Sequence, residues 1–514
     1  MMDVSLLAID CGTQSIRALL FDPEGNLIAS SKIPIESYFS VKPGYAEQHV
    51  HVFWQALCQA CRKLLDENPS IKNSIKAIAI TCQRATMVNL DKNGQPLRPA
   101  IVWLDQRRAD DLPPMRGLYG AAFKTIGLKE TIEYLRAESE ANWIMTRQPD
   151  IWEKTNKYLF LSGYLIYRLC GEYIDSIGSQ VGYVPFNYRK QQWAGPLDWK
   201  WKAIPISRKK LPKLAPVGSL LGYITKEAAE LTGLPFKLPI VAAAADKACE
   251  IIGSGCLDPQ TGCISYGTTA TINTIRPKYI EVIPLLPPYP AAVPDYYNLE
   301  IQIYRGYWMV SWFKEEFAKE EQIQANKMGV EVEQLFDELV NSVPPGSQGL
   351  ILQPYWSPGL RHPGPEAKGA VIGFSDTHTR AHLYRAILEG VAYALKEGAE
   401  RIGRRSKIPI TKLKIAGGGS RSDASMQLTA DIFNLPATRP HTYEASGLGA
   451  AIDAAVGMGI YDTFEEAIRH MTHDGDTFYP DETSAKTYRQ IYNEVYLKMY
   501  KKLRPLYQAL KNIE

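Results

Sequence analysis

The sequence predicts an α/β protein with two domains of related fold, and three observations support this class. Apolar segments such as 75–83 are too continuous for strands with one exposed face, which is typical of buried sheets. Segments with helical periodicity alternate with these strands. A strand, a glycine turn and a second strand near residues 4–22 recur at 262–275, in a chain of 514 residues that is too long for one hydrophobic core.

The overall charge and hydropathy exclude several classes of partner. The 58 basic side chains nearly balance the 55 acidic ones, so we expect no nucleic-acid partner, and the basic stretch 207–213 is typical of a solvated loop. No apolar stretch approaches the roughly 18 residues that a membrane span requires, so we expect no membrane partner. The first residues lack the basic and apolar regions of a signal peptide, which favours a cytoplasmic protein.

The eight cysteines are scattered, and one pair has the spacing of a metal site. Cys58 and Cys61 are three positions apart, but they lie in the amphipathic segment 52–67, and no second pair or nearby histidine completes a site. We interpret them as packing residues of a helix, and a reducing cytoplasm agrees with unpaired cysteines.

The first half of the chain contains strands with clear turn signals. The predicted elements are strands at 4–10, 15–22, 27–33 and 75–83, a hairpin over 89–103 closed by Asn93-Gly94, and a helix, loop and strand over 222–246. The turn between the second and third strands is Pro23–Asn26, whose composition is that of a hairpin turn.

The second half repeats this arrangement and ends in helices. The predicted elements are two strands within 262–275, a strand at 369–374 followed by a helix, a strand within 412–420 that ends in three glycines, a helix from Asp423 and a small-residue helix at 445–459. In a last amphipathic helix, apolar side chains from Tyr488 to Leu503 recur at three- and four-residue spacing, and Pro505 is expected to bend or end it.

Two glycine turns are candidates for anion binding. Asp10-Cys11-Gly12-Thr13 and Tyr266-Gly267-Thr268-Thr269 each join two strands, and each glycine lets backbone N–H groups approach an anion next to a hydroxyl. Ordinary hairpin turns remain the alternative for either one. The chain has no P-loop, and its two near matches to the dinucleotide fingerprint, at 417–422 and 447–452, lack the third glycine.

Asp246 stands directly after eight apolar or small residues, LPIVAAAA. Burial of a carboxylate costs several kcal/mol unless a partner compensates it, so this residue requires either a partner or a chemical role. An alternative from the residues alone is that Asp246 caps the helix that begins near Lys247.

These segments together resemble the FGGY family of carbohydrate kinases, over about residues 4–460. The segments that carry the resemblance are AIDCGTQSIRALLFD, KPGYAEQ, AIAITCQR, PAIVWLDQRR, PIVAAAADKACEIIGSG, ISYGTTA, GAVIGFSDTHTRAHLYRAILEG, IAGGGSRSDASMQLTADIFNLP and EASGLGAA. The resemblance implies two ribonuclease-H-like domains of the actin and sugar-kinase type, with a nucleotide cleft between them. It places an N-terminal domain at 1–256, a C-terminal domain at 257–460 and a helical extension at 461–514.

The resemblance also implies roles for particular residues. Asp10 would hold Mg²⁺ through water, and the turn with Gly12 and Thr13 would meet the γ-phosphate of ATP. Asp246 would be the general base that takes the proton from the attacking hydroxyl. The remaining nucleotide contacts would be Gly267 and Thr268 at the β- and γ-phosphates and Gly418 and Ser422 at the adenosine, where Ser422 replaces the usual asparagine.

The implied substrate contacts depart from the known subfamilies. Gln83 and Arg84 match glycerol kinase, but Ala85 replaces the glutamate that follows there, and the Met-His-Gly element of xylulokinases is absent. Asp105 would bind substrate hydroxyls and Trp103 would form a wall; a simple ion pair between Arg84 and Asp105 is the alternative. Ala245 and Lys247 replace the Gly and Gln that usually flank the base.

Lys247 is therefore expected to lower the pKa of Asp246 or to bind an anionic group of the substrate. The function that this pattern predicts is ATP-dependent phosphorylation of a hydroxyl on a small sugar, ketose or polyol. Glycerol kinase itself, a non-catalytic sugar- or nucleotide-responsive regulator, and an actin-type ATPase are the alternatives. A homodimer is the assembly that we expect.

Overall fold

The computed structural model describes residues 4–329, 332–359 and 363–513. Strands form several sheets, and two of these are large. The strands are β1 (Ser5–Cys11), β2 (Ser15–Phe21), β3 (Leu27–Pro34), β4 (Glu47–Gln48), β5 (Ile75–Cys82), β6 (Met87–Leu90), β7 (Ala100–Ile101), β8 (Lys157–Phe160), β9 (Ile174–Ser176), β10 (Phe186–Asn187), β11 (Gln192–Trp193), β12 (Lys213–Ala215), β13 (Leu220–Tyr223), β14 (Pro239–Val241), β15 (Thr261–Tyr266), β16 (Ala270–Arg276), β17 (Tyr289–Pro290), β18 (Tyr297–Ile303), β19 (Ile351–Gln353), β20 (Ala370–Ile372), β21 (Lys412–Ala416), β22 (Ala437–Pro440) and β23 (Asp474–Phe478).

Helices cover the faces of the two large sheets. They are α1 (Val50–Glu67), α2 (Gly117–Thr125), α3 (Lys129–Ala137), α4 (Glu140–Arg147), α5 (Pro149–Lys154), α6 (Leu161–Cys170), α7 (Lys200–Ala203), α8 (Lys226–Thr232), α9 (Asp246–Gly253), α10 (Trp308–Phe317), α11 (Lys319–Met328), α12 (Val332–Asn341), α13 (Arg380–Ser406), α14 (Asp423–Phe433), α15 (Ala445–Gly457), α16 (Phe464–Met471), α17 (Glu482–Ile491) and α18 (Leu497–Ile513). Among the described residues, no helix has the length and apolar character that crossing a membrane would need.

The two large sheets share one topology, which confirms the predicted repeat. The first sheet has the order β13-β14-β5-β1-β2-β3, and the second has β23-β22-β21-β15-β16-β18, followed by β17. In both, three antiparallel strands form a meander, two further strands run parallel to the first strand of that meander, and an antiparallel strand closes the edge. We call these halves the first lobe and the second lobe. This is the predicted pair of ribonuclease-H-like domains.

Both faces of the first sheet are buried, and apolar side chains on both sides fill the middle of its central strands. In β1, Leu7 and Ile9 face α1 and α6, whereas Leu6 and Ala8 face the layer that contains α9 and α15. This alternation explains why the strand sequence has no polar side, as a sheet between two helical layers requires.

Helices α9 and α15 follow equivalent strands of the two lobes and pack against each other. Their backbones meet at two glycines. A Cβ atom on Gly253 would lie 1.9 Å from the carbonyl oxygen of Ala445, and one on Gly449 would lie 2.0 Å from that of Cys249. Because neither position has room for a side chain, the lobes are joined by close backbone contact between these helices.

Most predicted elements of the sequence are confirmed, with three differences. The predicted strand before Asp246 ends at Val241, and 242–245 form an irregular segment. Pro505 does not end the last helix, which continues to Ile513. The segment 461–514 is not purely helical, because β23 pairs with β22 at the edge of the second sheet.

Apart from the predicted hairpin over 89–103, the insertion between β5 and β13 is the largest unpredicted feature. It contains α2–α5 and the strands β6, β7 and β8, which form a small sheet with β4 from before α1, and an apolar cluster here includes Trp143, Phe186 and Trp193. The strands β6, β7 and β8 are two to four residues long, too short for a periodic hydrophobic pattern to reveal them.

Candidate active site

The residues predicted to carry chemistry follow the carboxyl ends of strands in both large sheets. Asp10 is the second-last residue of β1, and Gln83 and Arg84 directly follow β5. Asp246 begins α9 after β14, and Gly267 follows β15. In α/β sheets with parallel strands, ligands bind at this end of the sheet. Because the lobes share one topology, the candidate residues of both lobes lie at the strand ends that would line a cleft between them.

Asp10 lies in a strongly charged environment. Arg17 on β2 lies 3.4 Å from its Oδ2 and 2.8 Å from Oε2 of Glu444, so one guanidinium serves two carboxylates. Burial raises the pKa of Asp10 to about 7; Arg17 opposes this rise, and Asp246, Glu444 and Glu250 add to it. A carboxylate in such surroundings is stabilised by an additional cation.

Asp246 is the first residue of α9, and Ala245 is the N-cap. Its Oδ1 accepts a hydrogen bond of 2.8 Å from the backbone N–H of Lys247, which differs from the predicted capping role. Burial raises the pKa of Asp246, while Lys247 and Arg84 lower it and Glu250 raises it. Burial outweighs the two cations, so the pKa of Asp246 lies above its ordinary value, as suits a group that accepts a proton.

Backbone hydrogen bonds hold the segment that leads to Asp246. The N–H of Ala242 donates to the carbonyl of Ser219, and that of Ala245 donates to Gly178. Behind them, Oδ2 of the fully buried Asp453 accepts the N–H of Ala244 at 3.3 Å. Burial raises the pKa of Asp453 well above its ordinary value. Hydrogen bonds to three distant segments therefore fix the backbone that positions Asp246.

Lys247 connects the two lobes. Its Nζ lies 2.9 Å from Glu250 Oε2 and 2.5 Å from Oγ of Ser265 on β15, and Ser265 Oγ donates to the other oxygen of Glu250. Burial lowers the pKa of Lys247, but Glu250 and Asp246 outweigh that effect and raise it. The ammonium thus has two partners beside Asp246, and one N–H remains for an anionic ligand.

Thr13, Gln83 and Trp103 form one chain of hydrogen bonds. Thr13 Oγ1 donates to Gln83 Oε1 at 2.6 Å and accepts from Trp103 Nε1 at 2.9 Å. The hydroxyl that was predicted to meet phosphate therefore contacts two predicted substrate residues in this conformation. Within the described structure, Nε2 of the buried Gln83 has no hydrogen-bond partner, so a donor is left over for a ligand.

Arg84 and Asp105 do not pair with each other, so the alternative ion pair is wrong. Arg84 Nη2 lies 3.1 Å from Oε1 of Glu300, on strand β18 of the second lobe. Both oxygens of the buried Asp105 are occupied by Arg107 and by the backbone N–H of Ala46. The geometry of Asp105 supports a role in holding Arg107 better than direct contact with substrate hydroxyls.

The second-lobe turn is held by the segment that leads to α10. The carbonyls of Gly267 and Thr268 accept backbone N–H groups of Tyr307 and Trp308. Each turn places a glycine after its strand, and a Cβ on Gly12 or Gly267 would meet no atom closer than 3.5 Å. The peptide groups of both turns therefore have space beside them.

The glycines after β21 differ sharply in the room around them. A Cβ on Gly419 would lie 2.2 Å from the ring of Tyr307, whereas one on Gly418 would meet no atom within 4 Å. The neighbouring Ser422 is the N-cap of α14: its Oγ accepts the N–H of Ser425 and donates to Asp337. Gly418 is thus open to a ligand, whereas the hydroxyl of Ser422 already has two partners.

The donor set near Asp10 fits a magnesium ion that is shared with a nucleotide. Mg²⁺ in such sites is bound through one or two carboxylates plus phosphate oxygens and water. Asp10 provides a carboxylate whose surroundings contain excess negative charge. No cluster of three or more side-chain ligands that could hold a metal alone occurs in the described parts of the chain.

Sequence reasoning missed several charged residues of the site. Arg17, Glu250, Arg107 and Glu444 lie within the segments that carry the resemblance, and the charge of the first three beside a predicted site residue is a readable signal. Glu300 lies outside these segments, and only the packing of the lobes brings Glu444 to Arg17 and Glu300 to Arg84.

Comparison with known proteins agrees with this arrangement. Family models described as the N-terminal and C-terminal domains of the FGGY family of carbohydrate kinases match residues 5–253 and 262–458. An uncharacterised sugar kinase, YgcE, of Escherichia coli K12 is 31% identical over 486 residues, covering 94% of this chain and 90% of that protein. A xylulose kinase of Lactococcus lactis is 28% identical over 500 residues, covering 96% of each.

Solved structures share the fold over nearly the whole chain. Gluconate kinase from Lactobacillus acidophilus has a TM-score of 0.82 at 22% identity and covers 98% of this chain and 99% of its own. Xylulose kinase from Rhodospirillum rubrum has a TM-score of 0.80 at 24% identity and covers 98% of this chain and all of its own. With both family models matched in order and both lobes built alike, the chain belongs to the FGGY family of carbohydrate kinases.

Proposed function

We propose that this enzyme transfers the γ-phosphate of ATP to a hydroxyl of a small sugar, ketose or polyol, with Asp246 as the general base. One observation carries this proposal: the half-buried carboxylate of Asp246 begins α9 next to Lys247, and burial raises its pKa against the opposing effect of Lys247 and Arg84. Relatives named xylulose kinase and gluconokinase support a sugar substrate.

In the proposed reaction, Asp246 accepts the proton of the attacking hydroxyl as the new oxygen–phosphorus bond forms. Phosphoryl transfer needs alignment and charge neutralisation more than covalent chemistry, and the site provides both. The segment 242–245 fixes the position of the base through its backbone hydrogen bonds. Gln83 and Arg84 orient the sugar, and Trp103 forms a wall of the sugar site.

ATP would be shared between the lobes. Peptide groups at Gly12 and Gly267 face the phosphates, Thr13 is a second donor if its hydroxyl rotates, and Thr268 provides another hydroxyl. Gly418 leaves room for the adenosine. Asp10 would hold Mg²⁺, which when bound neutralises the charge of the β- and γ-phosphates.

The retained base disfavours a regulator without catalytic activity, because a binding module has no use for a general base beside the phosphate site. Ala85 in place of a glutamate disfavours glycerol kinase, because a carboxylate acceptor for hydroxyl groups is missing from that loop. The homodimer and the cytoplasmic location stay predictions.

The test is an ADP-release assay on purified enzyme with Mg²⁺ and a panel of tetroses, pentoses, ketoses and polyols. The substitution Asp246→Asn should lower kcat by about 10²–10⁴-fold, which is the usual contribution of a general base, while ATP binding measured by calorimetry is kept. Glu320→Gln, an equivalent change at an exposed residue of the second lobe, is the matched control. Full turnover by the Asp246→Asn enzyme would show that the base lies elsewhere.

A further inference from the structure

The ion pair between Arg84 and Glu300 connects the lobes at the sugar end of the site. The two side chains are 16% and 5% exposed, and the guanidinium also lies over the ring of Tyr289 at 5.1 Å from its centroid. A buried ion pair is weak evidence for stabilisation, because desolvation offsets most of the attraction between its charges.

This pair lies beside the proposed base. Arg84 lowers the pKa of Asp246, and Asp246 in turn raises that of Arg84, so the two charges are close enough to interact. Next to Arg84 in the chain, Gln83 is only 6% exposed, and its Nε2 has no partner within the described structure. A buried donor without a partner indicates that a polar ligand belongs here.

Glu300 also borders open space. With Tyr289 and Tyr304 it lines a cavity in the second lobe, whose other walls include Leu286 and Tyr355. The carboxylate thus lies between Arg84 of the first lobe and a volume that a ligand can enter. A ligand that reaches Arg84 and this volume would contact Glu300, which would bring the second lobe into substrate recognition.

The charges around the site disfavour an anionic sugar. Three cations (Arg17, Arg84 and Lys247) face five carboxylates (Asp10, Asp246, Glu250, Glu300 and Glu444), and bound ATP adds further negative charge. Arg84 is the residue type best suited to bind a carboxylate, but Glu300 already occupies it. A sugar acid would have to displace Glu300 and then lie near Asp246.

We infer that Glu300 is a specificity residue that neutralises Arg84 and thereby selects an uncharged sugar or polyol over the corresponding sugar acid. Hydroxyl groups of such a substrate donate to Glu300 and accept from Gln83 Nε2 and Arg84. The carboxylate that Ala85 does not provide in the first lobe is thus provided by the second. This inference rests on the proposed kinase function.

The experiment compares kcat/KM for D-xylulose and D-glucitol with that for D-xylonate and D-gluconate, using wild-type enzyme and the Glu300→Gln variant. Wild-type enzyme should prefer an uncharged probe by about tenfold or more, because like charges in a buried site repel strongly. In Glu300→Gln, Arg84 keeps its charge without its partner, so this preference should fall by about tenfold or more, mainly through a lower KM for the acids. Glu320→Gln, on the exposed surface of the same lobe, should keep the wild-type ratio.

Two results would overturn the inference while leaving the kinase function intact: a wild-type preference for the acids, or an unchanged ratio in a folded Glu300→Gln enzyme. If that variant does not fold, the Glu300→Asp variant is measured instead. It keeps the negative charge and should therefore keep the preference for uncharged sugars, at a lower kcat/KM. If no sugar is phosphorylated, the proposed function fails. The inference is then judged from the thermal shift that each probe causes in the presence of ATP, and a larger shift with the acids contradicts it.

Discussion

The two glycine turns have the same backbone framework but different chemistry. Each follows the central strand of its sheet and leads into an antiparallel neighbour, so Asp10 in the first lobe corresponds to Ser265 in the second. Asp10 is a carboxylate paired with Arg17, whereas Ser265 is a neutral hydroxyl bonded to Lys247 and Glu250. The repeated fold therefore provides two similar turns, and under the proposed function the carboxylate of Asp10 would place the metal in the first lobe.

The same contrast extends to the helices behind the turns. Helix α9 begins with Asp246, whereas its equivalent α15 begins with Ala445, directly after Glu444. Both helices have an acidic residue near their N-terminus, where the helix dipole favours negative charge. In the first lobe that residue is the proposed base, and in the second lobe it is bound to Arg17. The fold is therefore duplicated, whereas the side chains at the equivalent helix starts have different partners and different proposed roles.

The largest effect is expected when the polar group at the equivalent position of each turn is removed. Asp10→Asn should lower kcat/KM by roughly 10²-fold or more and weaken the response to Mg²⁺, because a carboxylate near the transferred phosphate is lost. Ser265→Ala removes a neutral hydroxyl at the equivalent position and should cost less than about tenfold. Magnesium titrations of both variants provide the measurement, and equal losses would contradict the asymmetry of the turns.

A second test concerns the glycines after β21, which differ in available space. Gly419→Ala should lower the free energy of unfolding by about 1–3 kcal/mol, because the new methyl group meets Tyr307. Gly418→Ala is the matched control for stability: it should change stability by less than about 0.5 kcal/mol but raise the KM for ATP, since its methyl group would enter the open nucleotide side. Denaturant unfolding and ATP kinetics separate the two effects, and loss of stability at Gly418 alone would reverse this assignment.

A third test distinguishes two roles of Ser422, which are capping of α14 and contact with the nucleotide. Ser422→Ala should cost about 1 kcal/mol of stability through the lost cap of α14, with the KM for ATP changed less than twofold, about the size of a remote effect. Ser422→Asp, which keeps a capping group, should retain more stability. A large rise in the KM for ATP without loss of stability would restore the adenosine contact predicted from sequence.

The smallest expected effect lies behind the base, at Asp453. Burial raises the pKa of Asp453, so the folded protein holds this proton more tightly than the unfolded chain, and stability falls as the pH rises above the ordinary value for aspartate. Asp453→Asn keeps the acceptor for the N–H of Ala244 and removes the titration. Its Tm relative to wild type should therefore rise by about 1–3 °C between pH 5 and pH 8. If the difference in Tm between the variant and the wild type does not change with pH, the pKa of Asp453 is not shifted.

Local sequence patterns were sufficient for the framework. The apolar runs of β1 and β5 predicted strands buried on both faces, and the repeated glycine turns predicted two related lobes. The prediction was weaker where elements are short: the strands of the insertion have no readable period, and 242–245 is irregular because backbone partners from distant segments hold it.

The sequence by itself determined the two-lobed α/β fold and the positions of Asp10 and Asp246 at strand ends, because these depend on contiguous hydrophobic patterns and turn residues. The family followed from the resemblance of its segments. Only the tertiary structure decided which charges meet. Arg84 pairs with Glu300, 216 positions away, and not with the nearby Asp105, whereas Arg17 bridges to Glu444. Ion pairs between distant segments leave no periodic trace in the chain, since they depend on how the lobes pack.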